Sequence, residues 1–223
     1  MLVENLDKLW PLGTRADRGG ELWIGGCAAS ALAASYGTPL YVFDETTLRT
    51  AAQTYRAALA EHYAGPGTVA YAAKAYLTTG LAQLFAEEGL ELDVVSGGEL
   101  YVALEAGVPP SAIHFHGNNK TAGELAQAVT AGVGRIVVDN LAELDLLAAL
   151  LPRLDPPDGG PVRIWLRLAP GIDAHTHSHI QTGRVDTKFG LSIADGDAET
   201  AVAQALATPG LALVGLHAHI GSQ

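Results

Sequence analysis

Short apolar segments alternate along this chain with longer segments whose apolar residues recur at helical spacing. The short segments are rich in Val, Ile and Leu and are apolar nearly throughout, which is typical of strands covered on both faces. We predict six such strands, at Val69–Ala73, Leu92–Ser96, Ile113–His116, Ile136–Asp139, Val162–Leu168 and Val214–Ile220. The periodic segments predict helices at Glu45–Glu61, Leu77–Glu88, Glu99–Ala106, Ala122–Ala131, Leu141–Leu150 and Asp197–Ala207.

The regular alternation of strand and helix predicts an α/β fold with parallel strands. The first four strands recur at a spacing of roughly 22 residues, the length of one strand-plus-helix unit. Such units build either a doubly wound open sheet or a (β/α)8 TIM-type barrel. The chain has no glycine-rich dinucleotide fingerprint, which favours the barrel. The sixth strand runs into the last letters, "HAHIGSQ", so we expect a barrel truncated after about six strands.

The first part of the chain does not follow this alternation. The letters "LWIGGCAASALAASYGTPLYVFD" predict a strand near Leu22, a short helix, and a second strand at Leu40–Phe43. We therefore expect an N-terminal segment, residues 1–44, whose strands pair with something outside the barrel. Residues 45–223 form the partial barrel in this prediction.

Composition and charge narrow the class of function. The chain has 223 residues with 24 acidic and 13 basic side chains, a formal charge of -11. This argues against nucleic acid and against an anionic membrane as partners, because both attract basic surfaces. There is no apolar run of transmembrane length and no secretory signal. The single cysteine, Cys27, excludes an internal disulfide and a cysteine-rich metal site. A cytoplasmic enzyme is the expected class.

Polar residues follow every predicted strand, where the active sites of α/β barrels lie. They are Lys74, Asp93, Ser96, Glu99, His114, His116, Asp139, Asn140, Arg167, His217, His219 and Ser222. A lysine at a strand end can extend into solvent. A lysine desolvated in a barrel mouth instead has a lowered pKa and attacks carbonyl groups to form a Schiff base. Both aldolase-type and pyridoxal phosphate enzymes use such a lysine.

The final letters favour pyridoxal phosphate. The Gly-Ser turn that contains Ser222 offers backbone N–H groups and a hydroxyl to a phosphate. His219, three residues earlier, could lie flat on an aromatic ring. Three alternating histidines in "DAHTHSHI" could share one face of a strand, but no familiar zinc spacing accompanies them, and we predict no metal site. Glu143 is predicted to lie on a solvated helix face.

Several motifs together resemble a known family. They are "YAAKA", "DVVSGGEL", "HFHGNNKT", "VDNLAEL", "LRLAPGIDAHTHSHIQTGRVDTKFG" and "GLHAHIGSQ". Their order is similar to that in diaminopimelate decarboxylases, which belong to the fold-type III pyridoxal phosphate enzymes with alanine racemase. The resemblance extends from about Leu40 to the last residue. Its most specific part, "PGIDAHTHSHIQTGRVDTKFG", points to the diaminopimelate branch rather than the ornithine or arginine branches.

The resemblance implies a role for five residues in binding pyridoxal 5'-phosphate. Lys74 is expected to form the Schiff base with the cofactor and to be the catalytic residue. His219 is expected to stack on the pyridine ring, and Ser222 to contact the phosphate. Asp93 and Arg167 match positions that line the cofactor pocket.

The resemblance also implies an activity and an assembly. The expected reaction is the decarboxylation of meso-diaminopimelate to L-lysine, in lysine biosynthesis. In this family residues 1–44 would pack with a C-terminal β-sandwich domain, which is absent here, and the full-length form is a homodimer. Glu99 matches a position that has a structural or supporting role in the family. The alternatives are a racemase or polyamine-pathway decarboxylase of the same fold type, a non-catalytic cofactor-homeostasis barrel, and an inactive fragment.

Overall fold

The structure is a computed structural model that describes residues 9–171 and 189–220. The chain divides into two compact units, Met1–Val69 and Ala70–Gln223. The helix that follows residue 44 counts with the first unit in this division. The domain boundary at residue 44 and the packing of the N-terminal segment against a β-sandwich stay predictions.

The first unit contains a small antiparallel sheet and two helices. Its strands are β1 (Arg15–Ala16), β2 (Leu22–Ile24) and β3 (Cys27–Ala28), in the order β1-β2-β3, followed by helices α1 (Ala29–Tyr36) and α2 (Glu45–His62). The strand predicted at Leu40–Phe43 is wrong. Residues 40–43 lead as an irregular segment into the cap of α2, where the Asp44 side chain accepts a hydrogen bond from Thr47 N. High β-propensity does not make a strand where no described neighbouring strand pairs with it.

The second unit is a parallel sheet flanked by helices. Its strands are β4 (Ala70–Ala72), β5 (Glu91–Val94), β6 (Ile113–Phe115), β7 (Arg135–Val138), β8 (Val162–Ala169), β9 (Leu191–Ser192) and β10 (Leu211–Ala218). The strand order is β10-β8-β7-β6-β5-β4, with β9 pairing to the end of β8. All six predicted strands are confirmed within a few residues. The two-residue β9 was not predicted because so short an apolar pair carries no periodicity.

The helices of the second unit follow the strands one by one. They are α3 (Thr79–Glu87), α4 (Gly97–Glu105), α5 (Ala122–Ala131), α6 (Leu141–Leu150) and α7 (Asp197–Ala207). Four of them begin at a side-chain cap, supplied by Thr78, Ser96, Thr121 and Asn140. Each cap satisfies an N–H group that has no partner inside the helix. The caps fix where each strand-to-helix loop ends.

The two faces of the parallel sheet differ in polarity. On the helix-covered face, residues of four neighbouring strands are completely buried, among them Leu92, Phe115, Ile136 and Ile164. Successive strand residues point to opposite faces. The other face, here called the inner face, therefore carries Glu91, Asp93, His114, His116 and Arg135, so the prediction of strands apolar on both faces is wrong for this side.

Within residues 9–171 and 189–220, no helix is both long enough and apolar enough to cross a membrane. The architecture is that of a partial α/β barrel, with parallel strands inside and helices outside. In such a fold the loops at the carboxyl ends of the strands collect on one side of the sheet. The candidate site lies there.

Candidate active site

Lys74 lies one residue beyond the start of a short turn at the end of β4. The turn is a single 3-10 turn, Ala73–Ala75, and Lys74 is at its centre. Ala73 is buried, whereas Lys74 is exposed. The expectation that burial desolvates the amine is therefore not met in the described chain. The reason is the position of β4, which is an edge strand with β5 as its described neighbour.

The charge of Lys74 nevertheless affects the pKa values of groups on two other strands. The Lys74 ammonium opposes the rise in the pKa of Asp93 on β5. Burial first, and then the Lys74 charge, lower the pKa of His219, which follows β10. The sheet curves, because the rings of His116, after β6, and His217, in β10, have centroids 4.5 Å apart although β7 and β8 lie between these strands in the order. Lys74, Asp93 and His219 thus stand at carboxyl ends of strands in one curved sheet, where the Lys74 charge acts on both other groups.

A compact group of titratable side chains lies on the inner face beneath this site. His116 Nε2 is 3.3 Å from Asp93 Oδ1, and the rings of His116 and His217 meet edge to face with centroids 4.5 Å apart. The contact between His116 and Asp93 does not have the geometry of a hydrogen bond, so Asp93 Oδ1, like His217 Nδ1, is buried without a hydrogen-bond partner. Buried polar atoms without a partner are few in folded proteins, and a catalytic role is one of their explanations.

Burial controls the protonation of this group. It raises the pKa of Asp93 to about 7. It lowers the pKa of His116 to about 2 and that of His217 to about 4, with help from neighbouring positive charges. A neutral imidazole, that of His116, thus lies beside a carboxyl group that titrates near neutral pH, and the neutral imidazole of His217 lies behind it. Shifts of this size are typical of sites that handle protons.

Arg167 is held in place from the end of β7. Its Nη1 lies 3.0 Å from Asp139 Oδ1, and the Gly190 N–H donates to Asp139 Oδ2 at 3.1 Å. The guanidinium also lies over the Phe189 ring, 4.7 Å from its centroid. A Cβ on Gly190 would meet the backbone of β8 at 3.1–3.2 Å, so glycine allows this close approach.

A buried ion pair supports the same strand ends. Lys120 Nζ donates to Gly117 O at 2.6 Å and to Val137 O at 2.8 Å, and it lies 2.8 Å from Glu143 Oε1. Glu143 Oε2 accepts the Asp139 N–H at 3.1 Å. The Lys120 and Glu143 side chains are 1% and 4% exposed, so the expectation of a solvated Glu143 is wrong. Burial lowers the pKa of Lys120, but its three acceptors stabilise the ammonium.

Some predicted strand-end residues are helix caps. Ser96 and Asn140 accept hydrogen bonds from the backbone N–H groups of Glu99 and Glu143. Glu99 in turn accepts the Val95 N–H at 2.7 Å, which agrees with a supporting role. Glu124 accepts the Gly97 N–H at 2.8 Å, so carboxylates occupy the start of α4.

The sequence located most of these residues but not all of them. Asp93, His116, Asp139, Arg167, His217 and His219 were expected at strand ends, and the structure brings them together. Lys120 was missed because nothing in "HGNNKT" distinguishes it from a surface lysine. For Glu143 the sequence did offer a sign of a structural role, since Asn140-x-x-Glu143 has the spacing of a capping box. Ser222 and the three alternating histidines lie outside the described residues.

The residues named so far fit pyridoxal phosphate. An amine at a strand end offers a covalent anchor, an arginine offers positive charge to an anionic cofactor, and a carboxyl group can accept or donate a proton. Among the described residues, no group of three or more His, Cys, Asp and Glu side chains is arranged to hold a metal ion.

Comparison with known families gives the same assignment. Residues 46–223 match the family described as "Pyridoxal-dependent decarboxylase, pyridoxal binding domain". The match covers the whole of the second compact unit and begins within helix α2.

Individual relatives agree with the family. The chain is 47% identical over 210 residues to a diaminopimelate decarboxylase of Halalkalibacterium halodurans, covering 94% of this chain and 47% of the relative. It is 47% identical over 223 residues to that of Mycobacterium bovis, covering 100% and 48%. The crystal structure of diaminopimelate decarboxylase from M. jannaschii with L-lysine superposes with a TM-score of 0.81 at 34% identity, covering 94% and 48%. The chain therefore spans about half the length of its relatives.

Proposed function

The chain belongs to the family of pyridoxal-dependent decarboxylases, and on that premise we propose that it is the cofactor-binding part of a diaminopimelate decarboxylase. The proposed reaction converts meso-diaminopimelate to L-lysine with loss of carbon dioxide. The observation that carries the proposal is the arrangement at the carboxyl ends of the strands, where Lys74 follows β4, Asp93 of the adjacent β5 lies 3.3 Å from His116, and Asp139 holds Arg167 at 3.0 Å. Likeness to relatives of that name supports the substrate.

Five residues would hold the cofactor in this proposal. Lys74 would bind it covalently through Nζ, and Arg167 would contribute fixed positive charge. His219 would lie against the ring, Asp93 would line the pocket, and Ser222 would contact the phosphate. Pyridoxal phosphate, when bound, would accept the electron pair of the bond that breaks between the α-carbon and the carboxylate.

The chain's own residues would manage orientation and protons. The Asp139 carboxylate fixes Arg167 beside the site at 3.0 Å and leaves the guanidinium little freedom. Asp93, with its pKa raised by burial to about 7, can keep a proton on its carboxyl group near neutral pH. Lys74 Nζ is the second proton carrier, because an amine that forms and breaks a bond to carbon must gain and lose protons.

The proposal also covers the substrate class, a homodimeric assembly and a cytoplasmic location. A small amino-acid substrate agrees with the L-lysine bound in the related M. jannaschii structure. The homodimer and the cytoplasmic location rest on the family resemblance.

The test is a decarboxylation assay with the purified 223-residue chain and added pyridoxal phosphate. Carbon dioxide release and L-lysine formation are followed with meso-diaminopimelate, and ornithine and arginine serve as competing substrates. We expect slow formation of L-lysine that Lys74→Ala abolishes. Carbon dioxide from ornithine or arginine alone would assign the polyamine branch. Cofactor bound at Lys74 with no product from any substrate would assign cofactor binding alone to this 223-residue chain.

A further inference from the structure

Tyr71 connects the first strand of the parallel sheet to the first helix. It lies in the middle of β4, in register with Leu92 of β5. Its ring stacks on Phe85 of α3, with centroids 4.1 Å apart and planes inclined by 24°. Phe85 is buried, so this contact fixes the ring of Tyr71 against the helix layer.

The hydroxyl of Tyr71 closes the turn that carries Lys74. It donates a hydrogen bond to the backbone oxygen of Tyr76 at 2.7 Å, an ordinary distance between two oxygens. Between these two residues lies the 3-10 turn Ala73–Ala75 with Lys74 at its centre. Burial raises the pKa of Tyr71, so the phenol remains a donor throughout the neutral range.

The turn needs such support. A 3-10 turn of three residues has poor hydrogen-bond geometry and little stability of its own. Its exposed central residue, Lys74, sits on an edge strand, whereas the preceding Ala73 is buried. The Tyr71–Tyr76 hydrogen bond connects the residues on either side of this turn. The contact with Phe85 fixes the Tyr71 ring to α3.

We propose that Tyr71 is a positioning residue for Lys74: its hydroxyl bond to Tyr76 holds the turn in the geometry that presents the amine to the cofactor. This inference rests on the proposed function, since it assigns a task to Lys74. It explains why the side chain at this position of β4 carries a hydroxyl group although its ring already fills the contact with Phe85. Loss of one hydrogen bond predicts a cofactor affinity at Lys74 lower by about three- to tenfold.

The test compares the wild-type chain with Tyr71→Phe and with the control Tyr101→Phe. The first substitution removes only the hydroxyl and keeps the stacked ring. Tyr101 is an exposed tyrosine on α4, outside the proposed site. Pyridoxal phosphate is titrated, the adduct is reduced with borohydride, and mass spectrometry of the Lys74 peptide gives the half-saturating cofactor concentration. Amide hydrogen exchange of residues 73–78 is measured without cofactor.

The expected result is a threefold to tenfold higher half-saturating concentration at Lys74 in Tyr71→Phe, together with faster exchange in the turn and no change in Tyr101→Phe. Faster exchange with an unchanged cofactor titration would overturn the positioning role, because the hydrogen bond would then be merely structural. Unchanged exchange and unchanged titration would overturn it as well. A wild-type chain that takes up no cofactor at Lys74 would instead refute the proposed function, and the positioning role with it.

Discussion

Asp93 shows how much the surroundings change a single residue. Its carboxyl group would have a pKa of 3.8 in water, and burial raises that value to about 7. The neighbouring His116 gives it no compensating charge, since burial lowers the pKa of this histidine to about 2. Asp93 therefore exchanges its proton in the pH range where the proposed reaction would run.

This shift has a consequence for stability. Between about pH 4 and pH 7 the folded chain keeps a proton on Asp93 that the unfolded chain has released. The stability of the wild type therefore falls as pH rises through this window, by at most about 1.4 kcal/mol per pH unit from this group. Asp93→Asn cannot ionise, so its stability relative to the wild type should increase from about pH 4 to pH 7 and then remain level.

Urea unfolding at a series of pH values measures this difference. Glu105→Gln, which changes an exposed carboxylate on α4, serves as the control and should follow the wild type. A constant difference between Asp93→Asn and the wild type across the whole window would show that Asp93 has an ordinary pKa.

At the scale of the residue, the sequence predicted which residues lie at strand ends better than it predicted which residues contact one another. Asp93 and Arg167 could be assigned to strand ends, because polar residues follow apolar runs there. That His116 lies 3.3 Å from Asp93 depends on the stagger between β5 and β6, which the alternation of residues does not reveal. The exposure of Lys74 could not be predicted either, since it depends on which strand lies at the edge of the sheet.

At the scale of the element, the strand-to-helix loops are tied to one another by side chains. The Lys120 ammonium joins the end of β6 to β7 and to the first turn of α6. Glu143 extends this connection to the backbone of Asp139, which in turn holds Arg167. A buried ion pair is seldom better for stability than apolar residues of the same size, but leaving one charge without its partner is costly.

The pair predicts a non-additive effect of mutation. Lys120→Met leaves the Glu143 carboxylate buried without its cation and should reduce the free energy of unfolding by about 3–5 kcal/mol. The double variant Lys120→Met, Glu143→Leu removes both charges and should recover at least half of that loss, although the Asp139 N–H loses its acceptor. Urea unfolding of both single variants and the double variant completes the cycle. A double variant as unstable as the sum of the single variants would contradict a coupled pair.

The elements themselves were largely readable from the sequence. Helices α5 and α6 have the predicted bounds, because Thr121 and Asn140 mark their starts and apolar periodicity marks their lengths. The buried connection between Lys120 and Glu143 was not readable, since the two residues lie on successive units and meet only after the strands pair. The error at Leu40–Phe43 has the same origin, because a strand requires a partner.

At the scale of the whole second unit, the order of strands creates the site. Lys74 follows β4 and His219 follows β10, at the two ends of a parallel sheet. The sheet between them curves, since the rings of His116, after β6, and His217, in β10, have centroids 4.5 Å apart across the intervening β7 and β8. The repeat of strand and helix predicted a partial barrel, which is confirmed. The distance between its edges could not be predicted, because it depends on the twist summed over all strands.

The most direct test of the cofactor site is borohydride trapping of the wild-type chain with limiting pyridoxal phosphate. The chain has four lysines, at positions 8, 74, 120 and 188, and peptide mapping distinguishes them. We expect label to be confined to Lys74, and an excess of free phosphate ion to reduce the labelling of Lys74. Label distributed over Lys74, Lys8 and Lys188 alike, or absent from Lys74, would contradict a cofactor site at the end of the first parallel strand.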